Sequence, residues 1–334
     1  MATLFPQPGA SQPLVGIARL AAQGEAIAEG HQVEYLTLDN RSVLTRCVSR
    51  RVPFAWMINP YRGCEFGCKY CYARYTHEFM ELRDSMDFER KIYVKQHTAW
   101  LLRQELRRVR PGESIAIGTA TDPYQPAERK FGITRALLEE LARHQDLEIG
   151  LVTKGTLILR DLDLLKVLSA HNKLSLCITV TTLKTELARI LEPRAPRPDL
   201  RMKIVRQLRQ AGIRVGVNCA PVLPAITDSP SDLRDLVAAA AQAQAAFVFA
   251  NSLFLKPCSL KVFLPFLEEK FPHLLSLYRE RYSSRAFLPA QYNRRISQLV
   301  RKYCLQFGLG DRFESGRKQK NELQESAKQL QLFT

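Results

Sequence analysis

Three cysteines that stand close together are the residues whose types and spacing best suit chemistry. They form the segment Cys64-Glu-Phe-Gly-Cys68-Lys-Tyr-Cys71, whereas the other five of the chain's 8 cysteines are scattered singly, mostly among apolar neighbours. Thiolates this close together either bind a metal or repel one another when they ionise. In a reducing compartment, single cysteines are usually small buried hydrophobes. The triple therefore predicts a metal centre, and we interpret the single cysteines as core residues.

The residues alone leave three interpretations of this loop open. Zinc needs four ligands, and His77, six residues beyond Cys71, is available as the fourth. A chance group of buried thiols is hard to reconcile with the charged neighbours Arg62, Glu65 and Lys69. The third interpretation is an iron–sulfur cluster held by three thiolates, with one iron left open for a substrate or cofactor. A fourth thiolate would block that open iron.

The elements that must position these residues alternate along the chain. Short β-branched or apolar segments predict strands at 56–60, 114–120, 147–154, 174–182, 213–222 and 245–254. Amphipathic segments predict helices, as at 134–144 and 199–212, where Gly212 suits a helix C-terminus. Strands that alternate with helices are typical of parallel βαβ units. We therefore predict an α/β fold with six strands, a barrel or a barrel fragment, whose functional residues lie at the C-terminal strand ends.

Residue composition divides this chain into four predicted parts. Residues 1–30, rich in Ala, Gly, Gln and Pro, predict a flexible N-terminal arm, and residues 31–255 predict the core barrel. Residues 256–307 predict a basic helical extension, and residues 308–334 predict a linker and C-terminal tail. Polar residues follow the predicted strands at the expected mouth of the barrel, namely residues 119–122, Lys154, Thr181, Thr182 and Asn218.

Composition and charge narrow the class of protein. With 46% hydrophobic and 25% charged residues, no long apolar run and no export signal, the sequence predicts a soluble cytoplasmic protein without a membrane partner. Lys+Arg 49 against Asp+Glu 33 gives a net charge of +16. Such an excess attracts polyanions, chiefly nucleic acid. Basic residues are concentrated at 194–214 and 279–334.

The cysteine loop, with Tyr70 directly before its last cysteine, resembles the cluster-binding loop of radical S-adenosylmethionine (SAM) enzymes. The resemblance implies a partial (βα)6 TIM-like barrel of the radical SAM type with a helical C-terminal extension. It also implies a 4Fe-4S cluster on Cys64, Cys68 and Cys71 that binds SAM at its open iron and, with an electron donor, cleaves it to a 5′-deoxyadenosyl radical. Gly63 and Gly67 would let the backbone wrap closely around the cluster.

Segments 59–74, 119–128, 153–165 and 191–201 resemble the group of spore photoproduct lyase-related DNA repair proteins, and the match extends over roughly residues 35–300. The resemblance implies that Thr121 and Asp122 contact SAM, although Asp-Pro also favours a simple turn. It implies further that Lys154 pairs with the methionyl carboxylate and that Thr181, or its neighbour Thr182, contacts the ribose or carboxylate.

Aromatic and charged residues near these segments are weaker candidates. Tyr70 and Tyr72 flank Cys71, and we expect one of their rings to cover the cluster or the adenine. Tyr124 is expected to line the substrate side of the mouth. Glu192 and Arg194 begin a loop in which a surface salt bridge and a site role are equally open.

In one segment this sequence differs from the true photoproduct lyase in a way that affects the expected reaction. The true photoproduct lyase uses a thiol near the end of its second strand to quench the product radical. The corresponding segment here, Gly118-Thr119-Ala120-Thr121-Asp122, has no cysteine. A threonine O–H bond is too strong to give up a hydrogen atom as readily, so spore photoproduct reversal by the same route is not expected.

The last residues, Gln329-Leu330-Gln331-Leu332-Phe333, resemble the short peptide with which bacterial DNA-handling proteins bind the replication sliding clamp. With the net charge, this tail favours a radical SAM enzyme that acts on nucleic acid, with DNA repair or modification as the leading hypothesis. The alternatives are a radical SAM enzyme acting on RNA or protein, and a zinc-stabilised nucleic-acid-binding protein without catalysis.

Overall fold

The computed structural model describes residues 14–30, 32–49 and 52–310 of the chain. Within these residues the strands are β1 (Ala26–Gly30), β2 (Val33–Leu38), β3 (Leu44–Arg46), β4 (Trp56–Ile58), β5 (Tyr61–Arg62), β6 (Lys91–Lys95), β7 (Ser114–Ile117), β8 (Glu148–Thr153), β9 (Lys173–Thr179), β10 (Val215–Val222) and β11 (Val248–Ser252). The α-helices are α1 (Gly16–Ala22), α2 (Tyr75–Glu78), α3 (Asp87–Arg90), α4 (Thr98–Glu105), α5 (Pro126–Phe131), α6 (Ile133–Leu141), α7 (Leu162–His171), α8 (Thr185–Leu191), α9 (Pro198–Gln210), α10 (Pro230–Gln242), α11 (Pro257–Lys270), α12 (Leu275–Arg281) and α13 (Ala290–Gln306).

The larger sheet has the order β11-β10-β9-β8-β7-β4-β3. Its strands β4 and β7–β11 are all parallel to their neighbours, and β3 pairs antiparallel with β4 at the edge. Parallel neighbours require crossover connections, and helices cover the sheet accordingly. The six parallel strands are the six that the sequence predicts, so the partial (βα)6 barrel is confirmed.

The main core lies between this sheet and its helices. Its buried side chains come from every parallel strand and include Ile58, Ile117, Leu151, Leu176 and Val217. A second core joins the cysteine loop to the C-terminal helices, because Cys64, Cys68 and Tyr70 pack together with Phe263 and Tyr278. The C-terminal extension is thus helical, as predicted, and its helices α11 and α12 cover the cysteine loop. The boundaries at 255 and 307 stay predictions.

A second sheet, which the sequence pattern did not predict, has the order β1-β2-β6-β5. Strand β1 pairs antiparallel with β2, in a register that joins Gly30 to Val33. Helix α1 buries Ala21 against Leu36, Leu38 and Tyr93 of this sheet. The prediction of a flexible arm over residues 1–30 is therefore wrong for residues 16–30. Alanines give little hydrophobic signal in the sequence, yet they pack closely once the strand finds its partner.

No helix of the described residues is long and apolar enough to cross a membrane. The predicted tail peptide, Gln329–Phe333, lies outside the described residues.

Candidate active site

The cysteine loop begins directly after β5, and two glycines with positive φ shape it. Gly63 has φ +87°, and a Cβ atom placed there would lie 2.7 Å from the Lys91 carbonyl oxygen. Gly67 has φ +61°, and its Cβ would lie 2.9 Å from the Arg194 guanidinium. Left-handed backbone of this kind favours glycine. The loop therefore has a shape, tightly enclosed by its neighbours, that side chains at these two positions would prevent.

Backbone hydrogen bonds hold the loop from both sides. The Cys64 N–H donates to the Phe88 carbonyl oxygen at 2.9 Å, and the Lys69 N–H donates to the Leu191 carbonyl oxygen at 2.9 Å. Cys64 and Cys68 are buried, and Cys71 is partly exposed. Burial raises the pKa of the Cys68 thiol to about 12, with a smaller opposing effect from the Lys154 charge. Buried thiolates need a compensating cation, which a metal centre supplies.

His77 and the three loop cysteines do not form a ready zinc site among the described residues. In the described part of the chain, no three His, Cys, Asp or Glu side chains are grouped so that they could hold one metal ion. His77, the predicted fourth zinc ligand, is buried, with its Nε2 3.1 Å from the Lys91 carbonyl oxygen and its ring against Phe88. Zinc ligands must converge within about 2.3 Å of one ion. The thiolates of an iron–sulfur cluster bind different iron atoms and need not converge.

Thr121 supports the loop from beneath. Its hydroxyl donates to the Gly63 carbonyl oxygen at 2.6 Å and accepts a hydrogen bond from the Gln125 side-chain amide at 2.9 Å. The side-chain oxygen Oε1 of Gln125 accepts a hydrogen bond from the Glu65 backbone N–H at 2.9 Å. The structure thus places Thr121 at the base of the cysteine loop. Its predicted contact with SAM stays a prediction.

Asp122 joins the C-terminal ends of β7 and β8. Its carboxylate accepts hydrogen bonds from the Thr153 hydroxyl at 2.5 Å, the Lys154 N–H at 2.7 Å and the Tyr124 N–H at 2.9 Å. The last of these bonds is the i to i+2 contact of an Asx turn. Burial raises the pKa of Asp122, and these hydrogen bonds oppose the rise. The structure gives Asp122 a scaffolding role, and its predicted cofactor contact remains a prediction.

Lys154 carries a positive charge at the mouth of the barrel. Its Nζ lies 5.8 Å from the centre of the Tyr70 ring, and among the described residues no carboxylate lies within salt-bridge distance of it. Burial alone would lower the pKa of Lys154, but the charges of Cys68 and Glu192 outweigh burial and raise it. The ammonium group is therefore charged and available to an anionic ligand such as a carboxylate.

Thr181 belongs to a buried network beneath the loop. The Tyr70 and Thr181 hydroxyls lie 3.0 Å apart, and both donate to Glu192 Oε1, with Thr181 at 2.8 Å. The other Glu192 oxygen pairs with Arg201 at 2.5 Å, with each side chain 1% exposed. Arg201 also donates to the Thr179 carbonyl oxygen at 3.1 Å. The network fixes the Tyr70 ring beside the cysteines.

Two candidates at this edge of the barrel are buried. Of the two alternatives left open for Glu192, a surface salt bridge is excluded, because its pair with Arg201 is fully buried. Tyr124 does not line an open mouth: it is 2% exposed and packs in the main core under Gly155, whose Cβ would lie 2.5 Å from it. The neighbours of Tyr124, Pro and Gln, do not indicate whether its side chain faces the core or the mouth of the barrel.

The remaining candidates are dispersed. Thr182 is buried and its hydroxyl accepts from the Lys184 N–H at 3.1 Å. Arg194 pairs with Glu89 at 3.4 Å beside Gly67. On β10, Asn218 donates to the Thr179 hydroxyl at 3.3 Å, while its own side-chain oxygen is buried without a hydrogen-bond partner among the described residues.

Sequence reasoning did not identify Arg201, Gln125 or Ser259. Arg201 and Gln125 lie within segments 191–201 and 119–128, where burial of a polar residue was the missing information. The Ser259 hydroxyl donates to the Cys71 carbonyl oxygen at 2.8 Å, and no local pattern indicates that contact.

Two proteins are similar to this chain in sequence. A protein of Mycobacterium tuberculosis (strain ATCC 25618 / H37Rv), named Uncharacterized protein Rv2578c, is 36% identical over 261 residues, which cover 76% of each chain. A protein of Methanocaldococcus jannaschii, named Uncharacterized protein MJ0683, is 28% identical over 179 residues, covering 53% of this chain and 64% of that one.

Solved structures of spore photoproduct lyase share the fold. The structure complexed with dinucleoside spore photoproduct superposes with a TM-score of 0.63 at 15% identity, covering 82% of this chain and 79% of that one. A variant with bound AdoMet and the same dinucleoside gives a TM-score of 0.62 at 14% identity, with the same shares covered. The family model described as Radical SAM superfamily matches residues 58–237, more than half of the chain and all three loop cysteines. The chain therefore belongs to the radical SAM superfamily of enzymes.

Proposed function

We propose that this enzyme uses a 4Fe-4S cluster held by Cys64, Cys68 and Cys71 to cleave SAM reductively, and that it acts on nucleic acid. The observation that carries the proposal is the three-thiol loop, shaped by Gly63 and Gly67, above the C-terminal ends of six parallel strands. Three thiolates leave one iron of such a cluster without a protein ligand. That iron is where the cofactor would bind.

The residues around the loop have separable roles in this proposal. Bound together, the cluster and SAM supply a carbon-centred radical when an electron arrives. The Lys154 ammonium would bind the methionyl carboxylate, a role supported by its lack of a carboxylate partner among the described residues. Tyr70, held by Thr181 and Glu192, closes the buried side of the loop against water. Thr121 and Asp122 fix the loop and the ends of β7 and β8.

The net charge and the fold support the proposal that the substrate is nucleic acid. The net charge of +16 favours phosphate contacts. The fold is that of spore photoproduct lyase, which has been solved in complex with a dinucleoside photoproduct. Because segment 118–122 has no cysteine, we infer DNA repair or modification of another kind. A base within a duplex would have to leave the stack to reach the barrel mouth.

Anaerobic reconstitution with iron and sulfide tests the cofactor part of the proposal. We expect brown protein that releases 5′-deoxyadenosine from SAM on reduction. Replacing any of the three loop cysteines by Ala should abolish both the colour and the release, whereas Cys219→Ala, which removes a buried thiol of β10, should retain both. His77→Gln should retain iron as well. Colourless protein with one zinc that depends on His77 would overturn the proposal.

Turnover with irradiated DNA, undamaged DNA and RNA tests the substrate part. Each nucleic acid is deuterated, and transfer of deuterium into 5′-deoxyadenosine identifies the substrate from which hydrogen is abstracted. We expect transfer from DNA, and most from irradiated DNA if the reaction is repair. Transfer from RNA alone, or from no nucleic acid, would reject DNA as the substrate. Cytoplasmic location and the electron donor stay predictions.

Sliding-clamp binding through Gln329–Phe333 also stays a prediction, and deletion of residues 329–334 tests it. We expect the deletion to weaken clamp binding in a pull-down or surface-binding assay while SAM cleavage is retained. Unchanged clamp binding would reject the idea.

A further inference from the structure

Three aromatic rings form a row that starts beside the cysteine loop and reaches the protein surface. The Phe254 and Phe287 rings are stacked, with centroids 4.3 Å apart and an interplanar angle of 23°. The Tyr72 ring lies 5.9 Å from Phe254. Phe287 is 46% exposed and Tyr72 is 40% exposed. Tyr72 directly follows Cys71, so one end of the row lies at the proposed cluster site.

The backbone around the row is fixed. Phe254 and Phe287 face each other across an antiparallel bridge, and the Leu255 N–H donates to the Ala286 carbonyl oxygen at 3.0 Å. The Tyr72 hydroxyl donates to the Thr119 carbonyl oxygen at the end of β7. Leu288, next to Phe287, is buried. The two exposed rings are therefore presented by ordered backbone.

Cationic side chains accompany the row. Arg285 is exposed and lies two residues before Phe287. Lys256 lies two residues after Phe254, with its Nζ 3.5 Å from the centre of the Tyr75 ring. Neither side chain forms an ion pair with a carboxylate in the part of the chain that the structure describes. Neither charge is therefore neutralised by a carboxylate of the described residues, and both belong to residues that adjoin the row in sequence.

We propose that the surface formed by Phe287, Phe254 and Tyr72 is a stacking platform for an unpaired nucleobase of the substrate strand, with Arg285 and Lys256 contacting its phosphates. Exposed aromatic rings bordered by cations are the combination that binds single-stranded nucleic acid, because every base has a π-face and every linkage a charge. The identification of the ligand as nucleic acid rests on the proposed function. The platform adds where an unstacked base is held, next to the loop that carries the radical chemistry.

Fluorescence anisotropy with a labelled single-stranded oligodeoxynucleotide tests the platform on the full chain. We expect Phe287→Ala and Phe287→Leu to weaken binding by about 5- to 100-fold, since one base–aromatic stack is lost. Phe287→Tyr, which keeps a flat ring, should bind like the wild type. The matched control is Trp100→Ala, which removes another exposed aromatic side chain, 61% exposed, from α4; it should bind like the wild type.

Salt dependence separates stacking from charge. Phe287→Leu should leave the slope of log Kd against log salt unchanged, whereas Arg285→Gln should reduce it by about 0.7, the contribution of one single-strand phosphate contact. The wild type should prefer the single strand to a duplex of the same sequence, and a ribo-oligonucleotide of that sequence compares RNA with DNA. Equal binding by the Leu, Ala and Tyr variants would overturn the platform.

The platform and the proposed function can fail separately. Binding does not require SAM cleavage, so wild-type protein that binds single strands through Phe287 but releases no 5′-deoxyadenosine would reject only the radical chemistry. Protein that cleaves SAM but binds neither single-stranded DNA nor RNA would overturn the platform and the proposed nucleic-acid substrate, and would leave the radical chemistry standing. Circular dichroism of the Phe287→Leu variant guards against misfolding, because a general loss of structure would change its spectrum as well as its binding.

Discussion

Ser259 donates a hydrogen bond from its hydroxyl to the Cys71 carbonyl oxygen at 2.8 Å, although the two residues are 188 positions apart. Ser259 is fully buried in the first turn of α11. The contact ties the C-terminal helices to the last of the three loop cysteines. The extension is therefore a part of the site's architecture and no mere appendage to the barrel.

We expect Ser259→Ala to lower the free energy of unfolding by about 1–3 kcal/mol, because it removes a buried donor and leaves the carbonyl without that partner. Urea denaturation of the metal-free protein measures this. Ser252→Ala is the matched control: the Ser252 hydroxyl is buried and has no hydrogen-bond partner in the part of the chain that the structure describes, so its loss should cost little. Equal destabilisation by the two variants would contradict the importance of the Cys71 contact.

Removing the charge of Glu192 should destabilise the barrel strongly. Glu192→Gln leaves the Arg201 guanidinium, 1% exposed, without its counter-charge. Loss of one member of a buried ion pair costs about 3–5 kcal/mol. The comparison is Asp235→Asn, whose pair with Arg234 is exposed by 57% and 53% and should contribute less than about 1 kcal/mol. Chemical denaturation of both variants would show no difference if the buried pair were unimportant.

Two glycines with positive φ should respond differently to alanine. At Gly132, φ is +66° and no atom of the described residues lies within 4 Å of the added Cβ, so Gly132→Ala should cost only the left-handed strain of about 1–2 kcal/mol. At Gly63 the Cβ would also meet backbone oxygens of Lys91 and Phe88 at 2.7 and 2.9 Å. We expect Gly63→Ala to be more destabilising and to lose iron on reconstitution. Iron content equal to that of Gly132→Ala would show that the loop adapts.

The lowered pKa of Glu113 predicts that the free energy of unfolding depends on pH. Hydrogen bonds from Trp56 Nε1 at 2.8 Å, Arg46 at 2.6 Å and the Arg110 N–H lower its pKa from 4.5 to about 2. A carboxyl group with a lowered pKa in the folded state contributes stability that is complete above its unfolded pKa and is lost as pH falls toward the folded pKa. The wild type should thus be more stable than Glu113→Gln at pH 6.

The difference in stability between the wild type and Glu113→Gln should narrow as the pH falls from about 4.5 to about 2. Urea midpoints, followed through the fluorescence of the two tryptophans Trp56 and Trp100, measure it at each pH. If the wild type stays more stable than Glu113→Gln by a constant amount down to pH 3, the lowered pKa of Glu113 would be contradicted.

The fold could be predicted where the signal was local. The segment 213–222 predicts a buried strand because its residues are small and apolar, and β10 forms there. The segment 199–212 predicts a helix from its apolar spacing, and α9 spans Pro198–Gln210 with Gly212 at φ +83° after it. The N-terminal α1 and β1 could not be predicted in this way. Their alanines and glycines signal little by themselves, and pairing with β2 stabilises them.

The sequence by itself determined the chemistry that the protein can carry. Three cysteines in eight positions, one glycine directly before them, one glycine among them and the alternation of strands with helices are properties of neighbouring residues, so they can be read without coordinates. Only the tertiary structure decided which polar residues surround that chemistry. The Glu192–Arg201 pair, the Ser259–Cys71 bond and the stacked Phe254 and Phe287 rings join residues that lie 9 to 188 positions apart. Whether such a side chain is exposed to solvent or forms a buried contact depends on packing between distant segments, which local sequence does not encode.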